Sequence, residues 1–218
     1  MNEYALRVLG ATAVVLAYVG LCMGVFLKER RRERQQAERT AALACSGQGK
    51  PTLVLFGSQT GQAESIAWQT AAWLQAQGEA ARVCSLNQVS LADLHSAQRA
   101  LFIVSTYGEG DAPDGASVFA ERVMVGEPPT LPSLRFSVLA LGDRQYKYFC
   151  GYGRQLDAWL STTGAEREHE RIEADNADPA AMDAWRVRIG GGRAVSPSVM
   201  AAEASPWRLL AREQVNSG

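Results

Sequence analysis

From residue 52 to residue 190, short apolar runs alternate with longer amphipathic stretches. Residues 52–56, 81–85, 100–105 and 137–141 have the length and apolar content of strands, and 170–174 repeats the pattern less clearly. Between them, residues 63–77, 116–125, 153–162 and 177–189 carry apolar positions at helical spacing. Strand and helix in regular alternation predict an α/β domain: a doubly wound parallel sheet of five strands with helices on both faces. In such sheets ligands sit beyond the carboxyl ends of the strands. The loops after the first, third and fourth strands are therefore the places to look for function.

Ahead of this pattern, residues 8–27 contain no charged side chain. Twenty residues rising about 1.5 Å each reach across roughly 30 Å of hydrocarbon, so a transmembrane helix is expected. A buried core helix rarely runs so long, and a cleaved signal peptide wants a basic start, a shorter apolar stretch and a small-residue cleavage site. Arg7 stands alone before the span, whereas Lys28, Arg30, Arg31, Arg32 and Arg34 crowd its other end. That asymmetry predicts a single-pass membrane protein whose C-terminal part faces the cytoplasm. Gly20 and Gly24 form a small-xxx-small pair, a frequent pattern that also serves helix packing. Residues 28–50 read as a basic stalk and linker, closed by the helix-breaking Ser46-Gly-Gln-Gly-Lys-Pro51.

Charge divides the chain at the same place. Residues 1–50 hold eight Lys or Arg against four Asp or Glu, and the remainder fourteen against nineteen. An acidic globular part argues against a nucleic-acid ligand, which asks for a basic face. The cysteines, Cys22, Cys45, Cys84 and Cys150, form no C-x-x-C pair, so neither a metal site nor a disulfide framework is expected. His95 and His169 are the only histidines, and neither lies near a nucleophile motif, which leaves a Ser-His or Cys-His hydrolase little to use. No catalytic residue and no metal ligand is assigned.

The first loop, Phe56-Gly-Ser-Gln-Thr-Gly-Gln-Ala-Glu64, runs from a strand straight into a helix. It offers backbone N–H groups, the Ser58 and Thr60 hydroxyls and a helix N-terminus to one phosphate. It holds no Lys, so it is not the triphosphate loop G-x-x-x-x-G-K-[ST], and the dinucleotide fingerprint G-x-G-x-x-G is absent. A terminal monophosphate held by neutral donors remains, beside the plainer reading of a helix cap. The second loop, Ser105-Thr-Tyr-Gly-Glu-Gly-Asp-Ala-Pro-Asp114, presents Tyr107 among small residues. The third, Leu141-Gly-Asp-Arg-Gln-Tyr-Lys-Tyr-Phe-Cys150, offers Tyr146 or Tyr148 as a second ring. A flat conjugated ligand between two aromatic rings, tied by a phosphate to the first loop, describes flavin mononucleotide (FMN).

Gly57-Ser-Gln-Thr-Gly-Gln-Ala-Glu64, Ser105-Thr-Tyr-Gly-Glu-Gly-Asp111 and the third loop together resemble the flavin-binding loops of the flavodoxin-like domain in diflavin reductases. That family includes sulfite reductase flavoprotein and NADPH-haemoprotein reductase. The resemblance covers residues 51–190 and implies a flavodoxin-like sheet of order 2-1-3-4-5. It implies that Ser58, Gln59, Thr60, Gly61, Gln62 and Ala63 hold the FMN phosphate, and that Tyr107 and Tyr146 stack on the ring. Ser105, Thr106 and Gly108 of the second loop join the site. Leu141, Gly142, Asp143, Tyr148, Phe149 and Cys150 supply the remaining ring and ribityl contacts, and Asp175 matches an acid near the fifth strand. Phe149-Cys150 looks like the sulfite reductase branch, whereas the anchor looks like the microsomal reductase arrangement.

The implied role is electron transfer: single electrons pass from an NADPH/FAD reductase module to a haem protein or another redox acceptor. Glu109, Asp111 and Asp114 are expected to lower the flavin's potential and to guide docking. Gly108 is expected to let its peptide turn toward a protonated flavin nitrogen. No NADPH or FAD domain is recognisable. Residues 191–218 read as a linker followed by Ser205-Pro-Trp-Arg-Leu-Leu-Ala-Arg-Glu213, which resembles the start of an FAD-binding module, so either a fragment of a longer reductase or a truncated chain fed by a separate reductase is expected, the fragment being favoured. The competing class is a membrane-tethered docking module without flavin, against which both tyrosines and an intact phosphate loop argue. A phosphate-monoester hydrolase lacks a nucleophile, base and metal cluster.

Overall fold

A computed structural model describes residues 18–26 and 50–190. Residues 18–26 are helical and expose Tyr18, Leu21, Met23, Val25 and Phe26. The rest of the expected transmembrane span 8–27, the stalk to residue 49 and the expected module start at 191–218 lie outside the described residues. Among the described residues no helix is long and apolar enough to cross a membrane.

The globular part is a parallel sheet wrapped by helices. Its elements are β1 (Thr52–Gly57), α1 (Gln62–Ala76), β2 (Ala81–Ser85), α2 (Leu91–Ser96), β3 (Arg99–Ser105), α3 (Ser117–Arg122), β4 (Arg135–Gly142), α4 (Gly151–Thr162), β5 (Glu166–Arg167), β6 (Ile172–Asp175) and α5 (Pro179–Ile189). The strand order is β2-β1-β3-β4-β5, and β6 also pairs with β4. The expected order 2-1-3-4-5 therefore holds, with the fifth position split in two. Glu166 and Arg167 pair with Arg135 and Phe136 at the start of β4, while Ile172–Asp175 pair with Leu139–Gly142 at its end. Between the two halves the Glu168 N–H still reaches the Phe136 carbonyl at 2.8 Å, the Glu170 carbonyl accepts from the Arg188 side chain, and the Arg171 side chain bonds Asp157 and Glu173.

Alternation along the strands sorts the core into two layers. Val54, Phe56, Leu101, Ile103, Leu139 and Leu141 face α1 and α5, where Ile66, Leu74 and Trp185 complete one cluster. Leu55, Phe102, Val104, Phe136 and Val138 face the opposite layer, with Leu94, Phe119, Leu156 and Trp159. Trp185 Nε1 donates to Thr70 Oγ1 at 3.1 Å, tying α5 to α1 within the core. Gly153 lets α4 sit on β4: a Cβ there would lie 2.3 Å from the Ala140 Cβ.

Two helical stretches differ from the pattern-based reading. The expected helix at 116–125 shrinks to α3, entered through a 3-10 turn at Asp114–Ala116 and followed by a turn at Val123 and bends up to Glu127. The short α2 had no predicted counterpart, yet it opens on a capping box in which Ser90 and Asp93 bond each other's backbone.

Candidate functional site

At the carboxyl ends of β1, β3 and β4 the three loops converge on a cleft of about 470 Å³. The first loop contributes Gln59, Thr60 and Gln62; the second contributes Ser105, Thr106, Tyr107 and Gly108. The third contributes Leu141, Gly142, Asp143, Tyr146, Tyr148, Phe149 and Cys150. Fourteen of the expected site residues thus share one cavity.

Four expected residues stand behind the cleft. Ser58 Oγ accepts from the Gly61 N–H at 2.9 Å, an internal brace of the loop. Gly61 caps α1 with φ 91°, a conformation that glycine adopts without strain. Ala63 is buried in the core beneath. Asp175 sits one residue short of the cleft and holds the third loop, accepting from the Arg144 N–H at 3.1 Å. Its neighbour Asn176 lines the cavity in its place, at φ 49°, with its N–H on the Gly142 carbonyl at 2.8 Å. Sequence reasoning missed Asn176. Its only signal was an Asn in a polar turn after a strand, where the left-handed conformation is common.

The first loop keeps several main-chain donors unpaired. The N–H groups of Gln59, Thr60, Gln62 and Ala63 meet no acceptor among the described residues, as expected where a loop runs into a helix N-terminus. Thr106 adds an independent sign: its Oγ1 is buried without a hydrogen-bond partner. A buried orphan hydroxyl is costly unless a ligand completes it. Tyr107 and Tyr146 are 55% and 58% exposed, two flat rings with little cover of their own. The turn presenting Tyr107 is closed by Asp111 N–H on the Tyr107 carbonyl at 2.8 Å, with Gly108 at φ 51° and Gly110 at φ 109°. These donors and rings fit FMN: neutral donors for a phosphate, two aromatic faces for the ring, and a hydroxyl in want of a partner.

Charge around the cleft is two-signed. Glu109, Asp111 and Asp114 are exposed on the second loop. The third loop brings cations that temper that rim: Arg144 lies 5.5 Å from the Phe149 ring centre and Lys147 lies 5.0 Å from that of Tyr148. Arg154 reaches the Phe149 ring at 6.0 Å and forms a two-pronged pair with Glu173 at 2.7 and 2.8 Å. Cys150 is no nucleophile. Burial pushes its thiol up to about 12, and Sγ donates to the Ala140 carbonyl at 3.2 Å. Among the described residues no group of His, Cys, Asp and Glu is arranged to hold a metal.

Comparison with known proteins agrees with this geometry. Residues 54–188 match the Flavodoxin family. The chain is 37% identical over 146 residues to the sulfite reductase [NADPH] flavoprotein alpha-component of Vibrio cholerae, covering 67% of this chain and 24% of that protein. The same component of Bacillus subtilis is 35% identical over 212 residues, covering 88% of this chain and 35% of that one. The chain therefore spans about a quarter to a third of the length of these relatives. A flavodoxin of Streptococcus pneumoniae TIGR4 superimposes with a TM-score of 0.59 at 26% identity, over 66% of this chain and 97% of that one. A cysteine-to-alanine mutant of flavodoxin from Pseudomonas aeruginosa gives 0.57 at 23% identity over 66% and 98%, a likeness of fold.

Proposed function

The chain belongs to the flavodoxin family, and on that premise we propose that it is the FMN-carrying electron-transfer domain of a sulfite-reductase-flavoprotein-like reductase, held at a membrane. The observation that carries the reading is the convergence of unpaired loop N–H groups, the orphan Thr106 hydroxyl and two exposed tyrosines on one cleft. One-electron chemistry is what FMN supplies when bound. The residues of the chain do the rest. Gln59, Thr60 and Gln62 offer main-chain N–H groups to the phosphate, Thr106 Oγ1 donates or accepts in the cleft, and Tyr107 and Tyr146 cover the ring and limit its contact with water.

The electron source in this reading is an NADPH/FAD reductase module, in the same polypeptide or a separate one, and the acceptor is a haem protein or similar redox centre. The relatives bear the name of an NADPH-dependent flavoprotein component, which supports the source. Lys50 and Gly190, the first and last residues of the described domain, both line a cavity at the opposite end of the sheet. An anchor before the domain and a linker after it then leave the flavin end free to meet partners. The anchor itself rests on the uncharged run 8–27 and the cations that follow it.

Chain purified in detergent, incubated with FMN and freed of excess is expected to keep a yellow chromophore at one flavin per chain. A colourless product that takes up no FMN overturns the reading. Membrane attachment is checked separately: the chain is expected to stay with the membrane pellet after alkaline carbonate washing, and release into the supernatant overturns that part alone.

A further inference from the structure

The side chain of Gln59 is turned away from the work its loop performs. Its Nε2 donates to Asp114 Oδ2 at 2.9 Å, and its Oε1 accepts from the Asp114 backbone N–H at 2.9 Å. Both functional ends of the amide are thus spent on one residue of the second loop, 55 positions away. Asp114 is held in turn. Asn87 Nδ2 donates to the Asp114 carbonyl at 2.6 Å, while Asn87 Oδ1 accepts from the Val118 N–H at 3.0 Å. One step further on, Ser85 Oγ donates to the Gly115 carbonyl at 3.1 Å, and the Gly115 N–H donates to the Ser58 carbonyl at 3.2 Å. A Cβ on Gly115 would lie 2.9 Å from the Ser58 backbone N and O, so the two loops are in backbone contact.

Asp114 is an odd choice by charge. It is an exposed carboxylate beside a loop whose unpaired N–H groups suit an anion, and the like charges repel. Its return is geometric. The first loop is bounded by Gly57 and Gly61, and a glycine-flanked loop left to itself samples many backbone conformations. A ligand that must order such a loop binds more weakly than one that finds it ordered. The Asp114–Gln59 pair fixes the middle residue of the loop from outside, leaving its main-chain N–H groups free.

We propose that Asp114 and Gln59 are positioning residues: a latch from the second loop that pre-orders the phosphate loop and sets the preference for a phosphorylated flavin over its dephosphorylated form. This rests on the FMN reading above and deepens it. The latch touches only the phosphate end, so its loss acts on FMN and spares riboflavin, whose ring and ribityl contacts lie elsewhere in the cleft.

The experiment is flavin titration of the full chain with FMN and with riboflavin, read by quenching of flavin fluorescence, for the wild type, Asp114→Ala, Gln59→Ala, the double variant and Asp114→Asn. Asp114→Ala and Gln59→Ala are each expected to weaken FMN about tenfold and riboflavin less than twofold. The double variant is expected to be no weaker than either single one, because both break the same pair. Asp114→Asn keeps an acceptor for Gln59 Nε2 and removes the repelling charge, so it is expected to bind FMN at least as tightly as the wild type. Equal weakening of both flavins, additive losses in the double variant, or a loss in Asp114→Asn equal to that in Asp114→Ala overturns the latch while leaving the FMN reading in place. A wild-type chain that binds neither flavin overturns the FMN reading, and the latch with it.

Discussion

The two ends of the sheet are built on opposite principles. The amino end carries the larger void, about 710 Å³, and the greater density of charge. There Arg99 bonds Glu168 at 2.9 and 3.1 Å, Glu79 at 3.2 Å and the Ile189 carbonyl at 3.3 Å, while Arg135 adds a contact to Glu168 at 3.3 Å. His169 meets the Arg188 carbonyl, and Arg188 in turn donates to the Glu170 carbonyl. These groups spend their charge on one another. The carboxyl end has the smaller cleft and few ion pairs, yet it holds the orphan Thr106 hydroxyl, the unpaired loop N–H groups and two bare tyrosine rings. Cavity size and charge density point to one end; unmet bonding capacity points to the other. A ligand is bound by capacity the protein has not already used, and of the two cavities the one at the carboxyl end has it.

The contrast is most strongly tested by Arg99→Ala. The side chains of Arg99 and Glu168 are only 14% and 10% exposed, so removing the cation leaves a largely buried carboxylate with only the exposed Arg135 at 3.3 Å and the Ser137 hydroxyl at 3.4 Å. A loss of about 3 kcal/mol in urea unfolding is expected, with FMN affinity unchanged within twofold. An equal loss of FMN affinity would erase the distinction between the ends. Thr106→Val is the mirror experiment. It removes a buried hydroxyl that has no protein partner, so the flavin-free chain should gain about 1 kcal/mol while FMN binds about tenfold more weakly. Stability and affinity moving in opposite directions is what a binding group, as opposed to a structural one, must show. Tyr146→Ala comes next, with FMN weakened about fivefold and flavin fluorescence partly restored, since ring stacking contributes about 1 kcal/mol.

The sequence exposed the binding end far better than the bracing end. Strand–loop–helix punctuation and small residues mark the three loops locally, so the loops that line the cleft were legible from their immediate neighbours, whereas the choice of Tyr146 over Tyr148 came from the family resemblance alone. Arg99, Glu168 and Glu79 carry no local signal, because the bonds joining them span 69 and 20 positions. Asn176 and the Asp114–Gln59 pair were hidden for the same reason: each works through a partner set by the fold. Asp175 was assigned through the family resemblance; it stands at the end of β6, while the turn after it brings Asn176 into the cavity wall. The split fifth strand was equally out of reach, since the residues between its halves bond across the fold: the Glu170 carbonyl accepts from Arg188 of α5, and the Arg171 side chain reaches Asp157 of α4.

The Arg154–Glu173–Arg171–Asp157 network braces α4 and the strand edge and reaches the Phe149 ring through Arg154, so it gives the mildest test of whether bracing charges act on the cleft. Hydrogen bonding by Arg154 holds the Glu173 carboxyl below its ordinary value; burial opposes this and Arg171 reinforces it. A carboxyl lowered by folding stabilises the native state fully above its unfolded pKa, about 4.3, and loses that contribution as pH falls through the folded value. Glu173→Gln should therefore cost about 0.5 to 1 kcal/mol at pH 7, a small figure because Arg154 is half exposed. The melting-temperature gap to the wild type should narrow below about pH 4 and close once the wild-type carboxyl is protonated. FMN affinity at pH 7 reads the other half of the question. Gln at 173 leaves Arg154 without its carboxylate, beside a ring that lines the cleft. If affinity shifts by less than twofold, the bracing network ends at Phe149; a larger shift would mean that it reaches into the flavin site.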